Sequence, residues 1–158
     1  MRVNLDLRND RGPGLRRGEG TAGDGLPVGP VAVMDAECAL CSFGARMIHR
    51  LDRSGTVKIC PVQTGLGQRL LAEHGISGTD PESWLFLADG KAWTDFDAMA
   101  EVGWRSGGWG RGLILLRAIP KPLRDWLYRR VARNRYAVFG RGDMCAIPDP
   151  AFRARLIG

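Results

Sequence analysis

The chain has 158 residues, 44% of them apolar, which suffices for one hydrophobic core and falls short of two. It holds no run near the roughly 20 consecutive apolar residues of a membrane span. Its start, MRVNLDLRNDRGPGLRRGEG, lacks the apolar centre and small-residue cleavage site of a secretory signal, so a cytoplasmic protein without a transmembrane segment is expected. The net charge of +6 is unevenly spread, since residues 30–104 hold 6 basic and 10 acidic groups and residues 105–158 hold 12 and 3.

Residues 1–29 carry seven glycines, scattered charges and almost no apolar periodicity. Ordering them would cost backbone entropy that no buried surface offsets, so they read as a disordered Gly/Arg-rich extension before a single domain over 30–156. VAVM at 31–34 is a buried-type strand. Leu40, Phe43, Gly44, Met47, Ile48 and Leu51 then recur at helical spacing and predict a helix with that face inward, leaving Ser42, Arg46, His49, Arg50 and Arg53 in water. TVKICPV reads as a second strand, and LGQRLLAEHG as a short helix closed by Gly75. Two apolar runs, WLFLA and KAWT, flank Asp89-Gly90, a strong hairpin signal. Thr94 to Asp97 can cap a helix running to Trp104. The order β-α-β-α-β-β-α is that of the thioredoxin fold.

Two further helical stretches follow, WGRGLILLRAIP and KPLRDWLYRRVARNRYAVFG, split at Pro120 and Pro122. In the second, Leu123, Trp126, Leu127 and Val131 form an apolar stripe expected to pack on the core, with Asp125 positioned to pair with Arg129 and the arginines in water. The expected architecture is an α/β, thioredoxin-like βαβαββα core with two additional C-terminal helices.

Between the first strand and first helix stand Asp35, Cys38 and Cys41. A helix N-terminus offers unpaired N–H groups and the positive end of the helix dipole, which favours a thiolate at Cys38. Cys41 lies one turn on, within disulfide reach. The spacing suits an exposed attacking Cys38 and a more buried resolving Cys41, whose proximity makes release of a mixed disulfide intramolecular. Asp35 either handles the proton of the resolving thiol, fixes the loop by accepting N–H bonds, or is a plain cap. The competing readings are two inert buried thiols and half of a zinc site. The zinc reading lacks a second close ligand pair among Cys60, Cys145, His49 and His74, so no metal is expected. His49 and His74 read as solvated or locally hydrogen-bonded. Cys60, inside a strand, is expected to be buried without a catalytic role, and Cys145 to be peripheral at most.

On these residues the sequence resembles the DCC family of thiol-disulfide oxidoreductases, named for one Asp and two Cys, here Asp35, Cys38 and Cys41. CPVQTGLGQRLLAEHG is similar to the family's Pro-x-Gln segment, with Pro61 and Gln63 matching. IPKPLRDWLYRRVARNRYAVFGRGDMC is similar to its C-terminal block, including Asn134, Arg135, Tyr136, Gly140 and Cys145. The resemblance covers roughly 30–156, with Ala36 where the family usually has Gly. It implies a thioredoxin-like fold, no cofactor, and a dithiol activity centred on Asp35, Cys38 and Cys41, with Pro61 and Gln63 on the substrate side. The implied partners are a disulfide-containing protein or small thiol and a separate reductant.

A non-enzymatic alternative makes the basic tail a module for nucleic acid, a membrane surface or an acidic protein, using Trp104, Trp109, Trp126, Tyr128 and Tyr136. Because the aromatics fall largely on the stripe expected inward, no nucleic acid is expected, while an acidic protein partner stays compatible.

Overall fold

A computed structural model of the chain describes residues 28–76 and 83–158, so all but the last two positions of the expected extension lie outside the described residues. The elements are β1 (Val31–Met34), α1 (Ala39–Leu51), β2 (Lys58–Pro61), α2 (Gly65–Glu73), β3 (Leu85–Ala88), β4 (Lys91–Thr94), α3 (Asp95–Ser106), a 3₁₀ segment (Gly108–Ala118), α4 (Lys121–Phe139) and α5 (Pro150–Arg153). The sheet order is β2-β1-β3-β4. β1 pairs parallel with β2, and β3 runs antiparallel to both β1 and β4. This mixed α/β arrangement is consistent with a thioredoxin-like fold, and the parallel β1–β2 pair agrees with the reading of the first βαβ unit.

The period of two along β1 sorts its side chains into two cores. Ala32 and Met34 join Ala45 and Ile48 of α1, Phe86, and Ala98 and Val102 of α3. Val31 and Val33 join Leu70 and Leu71 of α2 with Leu85. The β1 strand is thus covered on both faces, which is why it is apolar throughout. The Asp89-Gly90 turn has φ of 51° and 69°, the paired positive values of a type I′ hairpin. The outer edge of β2 is covered too: Ile59 N–H donates to Arg155 O at 2.8 Å and Ile157 N–H to Ile59 O at 3.0 Å.

Three expectations need correction. In α1 the buried face is Ser42, Ala45, Ile48 and Leu51, while Phe43 is exposed, so the helix is rotated from the predicted stripe. The expected helical stretch from Gly108 is present and takes 3₁₀ form, entered through Gly107 and Gly108 at positive φ. In α4 the stripe Leu123, Trp126, Leu127 and Val131 faces solvent; the buried positions are Arg124, Ala132 and Arg135. Asp125 pairs with Lys121 instead of Arg129. The reason is electrostatic. Arg124 meets Asp97 at 3.0 Å, Arg135 meets Asp35 at 3.3 Å and Arg155 meets Asp52 at 2.8 Å, so polar residues enter the interior as pairs. Among the described residues no helix is long and apolar enough to cross a membrane.

Candidate dithiol site

β1 ends at Met34 and delivers Asp35, a buried residue, to the loop before α1. Its carboxylate is saturated. Oδ1 accepts the Glu37 N–H at 2.9 Å and Gln63 Nε2 at 2.7 Å, while Oδ2 accepts Arg135 Nη2 at 3.3 Å and the Tyr136 hydroxyl. Gln63 closes the clasp from the other side, its Oε1 accepting the Ala36 N–H at 3.2 Å. Burial, together with the bond to Asp35, raises the Tyr136 hydroxyl above its usual pKa. The Arg135 guanidinium stacks 5.0 Å from the Tyr136 ring centroid.

Cys38 is the N-cap of α1, in extended backbone, and its Sγ accepts the Cys41 N–H at 3.4 Å. Contrary to expectation, Cys38 is 0% exposed and Cys41 only half-buried. The cover comes from a segment about a hundred residues away. Gly140–Met144 lies antiparallel across the loop, with Arg141 paired to Cys38. Gly140 O accepts the Ala39 N–H at 3.3 Å, Gly142 N–H donates to Glu37 O at 2.8 Å and Met144 N–H to Ala36 O at 2.9 Å. Outside this strap Arg141 reaches Glu37 at 3.5 Å and stands 5.6 Å from the Tyr136 ring centroid.

Cys41 instead lines a shallow cleft with Asp35, Leu40, Trp84, Tyr128, Val131 and Arg135. Burial, reinforced by the neighbouring Cys38, pushes the Cys41 thiol up to about 12, so it stays protonated at neutral pH. All four cysteines are free thiols in this structure. Cys60 is fully buried and its pKa is raised by burial. Cys145 is exposed just beyond the strap. His49 is hydrogen-bonded to Asp149 at 3.1 Å and His74 to Leu70 O at 2.8 Å. Among the described residues no group of three or more His, Cys, Asp and Glu side chains could hold a metal ion.

The structure therefore gathers Asp35, Cys38, Cys41 and Gln63. Pro61 sits at the end of β2, its carbonyl taken by the Thr64 hydroxyl at 2.9 Å. Arg135, Tyr136 and the strap are site residues that the local sequence pattern does not mark, although all lie in the C-terminal block that resembles the family's.

An Asp-anchored dithiol at the N-terminus of the first helix of such a sheet is an arrangement that thiol-disulfide exchange proteins use. Residues 32–141 match the DCC1-like thiol-disulfide oxidoreductase family, and the chain belongs to it. It is 32% identical over 127 residues to the uncharacterized protein YuxK of Bacillus subtilis (strain 168), covering 80% of this chain and 93% of that one. It is 28% identical over 119 residues to a chloroplastic DCC family protein of Arabidopsis thaliana, covering 75% and 69%. No solved structure matches it.

Proposed function

We propose that the domain over 30–156 is a thiol-disulfide oxidoreductase of the protein-disulfide reductase type, in which Cys38 attacks and Cys41 resolves. One arrangement carries the order: Cys38 is the N-cap sulfur of α1 and accepts the Cys41 N–H at 3.4 Å, while Cys41 sits one turn inside the helix with its thiol raised by burial. The Cys38 thiolate attacks one sulfur of the substrate disulfide, forming a mixed disulfide and expelling the other sulfur as a thiolate, which takes up a proton. Cys41 then loses its proton and attacks Cys38 Sγ, closing the Cys38–Cys41 disulfide and releasing the second substrate thiol. Two electrons pass from the dithiol to the substrate, and an external thiol reductant returns them. A cytoplasmic setting supplies such a reductant.

Asp35 serves as the anchor of the loop, since its four hydrogen bonds tie β1, Gln63 and α4 to the position of Cys38. Gln63 belongs to that anchor, and Pro61 shapes the turn that brings it there. The test is trapping with a disulfide-bonded peptide, read by mass spectrometry. Cys41→Ser is expected to accumulate a mixed disulfide at Cys38, and Cys38→Ser to capture nothing. Capture through Cys41 alone would overturn the order, and capture by neither the reading.

A further inference from the structure

The geometry points to the strap as an internal stand-in for substrate: Gly140–Met144 occupies the edge where an extended disulfide-bearing peptide docks, and its sequence describes that peptide. The inference rests on the proposed attack by Cys38. The hydrogen bonds from Ala39 N–H to Gly140 O and from Gly142 N–H to Glu37 O bracket Cys38 and Arg141, making them a directly opposed, non-hydrogen-bonded antiparallel pair. Such pairs have Cα atoms roughly 4.5 Å apart and side chains on one face. That separation falls within the range of about 4.4–6.8 Å that a disulfide requires. A half-cystine taking the place of Arg141 would therefore present its sulfur to Cys38 Sγ without rearrangement of the α1 N-terminus.

The strap also defines the neighbours of that half-cystine. A Cβ built on Gly142 would stand 3.0 Å from Ala39 Cα and 3.3 Å from its nitrogen, both backbone atoms, so a side chain there would push the strand a few tenths of an ångström off the loop and glycine is favoured as the next residue of the substrate. Two residues further, Met144 is fully buried in the main core beside Ala36, which asks for a long apolar side chain. Asp143 between them is exposed, its Oδ1 accepting the Cys145 and Ala146 N–H groups of the strap's own turn at 2.9 and 3.2 Å. The substrate class is a polypeptide strand of the form Cys-Gly-Xaa-apolar that adds to the loop edge as the strap leaves, exchanging one set of main-chain hydrogen bonds for another. The strap pivots at Gly140, whose φ of 75° ends α4.

Two experiments test this. In a Cys41→Ser, Cys145→Ser protein, Arg141→Cys is expected to close a disulfide between Cys38 and the introduced thiol when treated with oxidised glutathione, which accepts the two electrons and two protons and leaves as two thiols. Mass spectrometry reads this as loss of two hydrogens and one cross-linked peptide. Glutathionylation of position 141 with Cys38 still alkylatable would overturn the pairing. In the Cys41→Ser, Cys145→Ser protein, peptides carrying Cys-Gly-Ala-Met and Cys-Val-Ala-Met as mixed disulfides with thionitrobenzoate are compared by chromophore release. The glycine peptide is expected to load Cys38 about tenfold faster, the scale of an overpacking penalty. Equal rates would overturn the strand assignment while leaving the enzyme. Failure of Cys38 to take even dithiobisnitrobenzoate would overturn the enzyme itself.

Discussion

At Asp35 four hydrogen bonds, from the Glu37 N–H and the Gln63, Arg135 and Tyr136 side chains, converge on one buried carboxylate. Arg135 is the cation of the group and is itself buried. Replacing it by Met strands an ionised carboxylate without its counter-charge, so Arg135→Met is expected to lower unfolding free energy by about 3–5 kcal/mol. Arg130→Met, on the exposed side of α4, is expected to stay within about 0.5 kcal/mol. Urea unfolding of the two variants measures the contrast, and equal losses would refute the role of the pair.

On the scale of the element, α4 inverts the usual rule for an amphipathic helix. Tyr128 lies in the cleft with its hydroxyl in a backbone hydrogen bond with Trp84, and burial raises its pKa. Trp126 faces solvent at 57% exposure. Thermal melts should therefore show Tyr128→Ala costing about 3 kcal/mol and Trp126→Ser within about 0.5 kcal/mol. The reverse ranking is what an inward apolar stripe would give. This is also where sequence reading reached its limit. The strands, the Asp89-Gly90 hairpin and the Cys38/Cys41 loop announce themselves through local signals, alternation, paired positive φ and spacing. The rotations of α1 and α4 do not, because Ser42 and the inward arginines are placed by tertiary contacts. Arg124 finds its aspartate 27 residues away and Arg135 finds its own 100 residues away. The burial of Cys38 was hidden for the same reason, since no pattern near residue 38 tells of a strap at residue 141.

For the molecule as a whole, pH dependence follows from groups whose protons are held more tightly folded than unfolded. The Cys41 thiol, raised from 9.0 to about 12 chiefly by burial, is one; the hydroxyls of Tyr128 and Tyr136, also raised chiefly by burial, are others. The unfolded chain releases these protons first as pH rises, so it binds fewer than the native state and stability falls. The contribution is whole below pH 9 and is lost progressively toward pH 12. Melting temperatures recorded across that window are expected to drop, and to drop less steeply at its start in Cys41→Ser. A flat profile would show the thiol to be less enclosed than the cleft geometry indicates.

The buried arginines also set a timetable for synthesis. Asp35 and Asp52 belong to the first third of the chain, yet their cations, Arg135 and Arg155, are 100 and 103 residues downstream. At translation rates of about 5–20 residues per second, each carboxylate waits roughly 5–20 s for its partner. Enclosing it earlier would cost several kcal/mol. A nascent chain that has completed β4 thus holds every strand of the sheet and still lacks the charges that let the sheet close. The dithiol loop stays open through that interval, with Cys38 uncovered until the strap emerges.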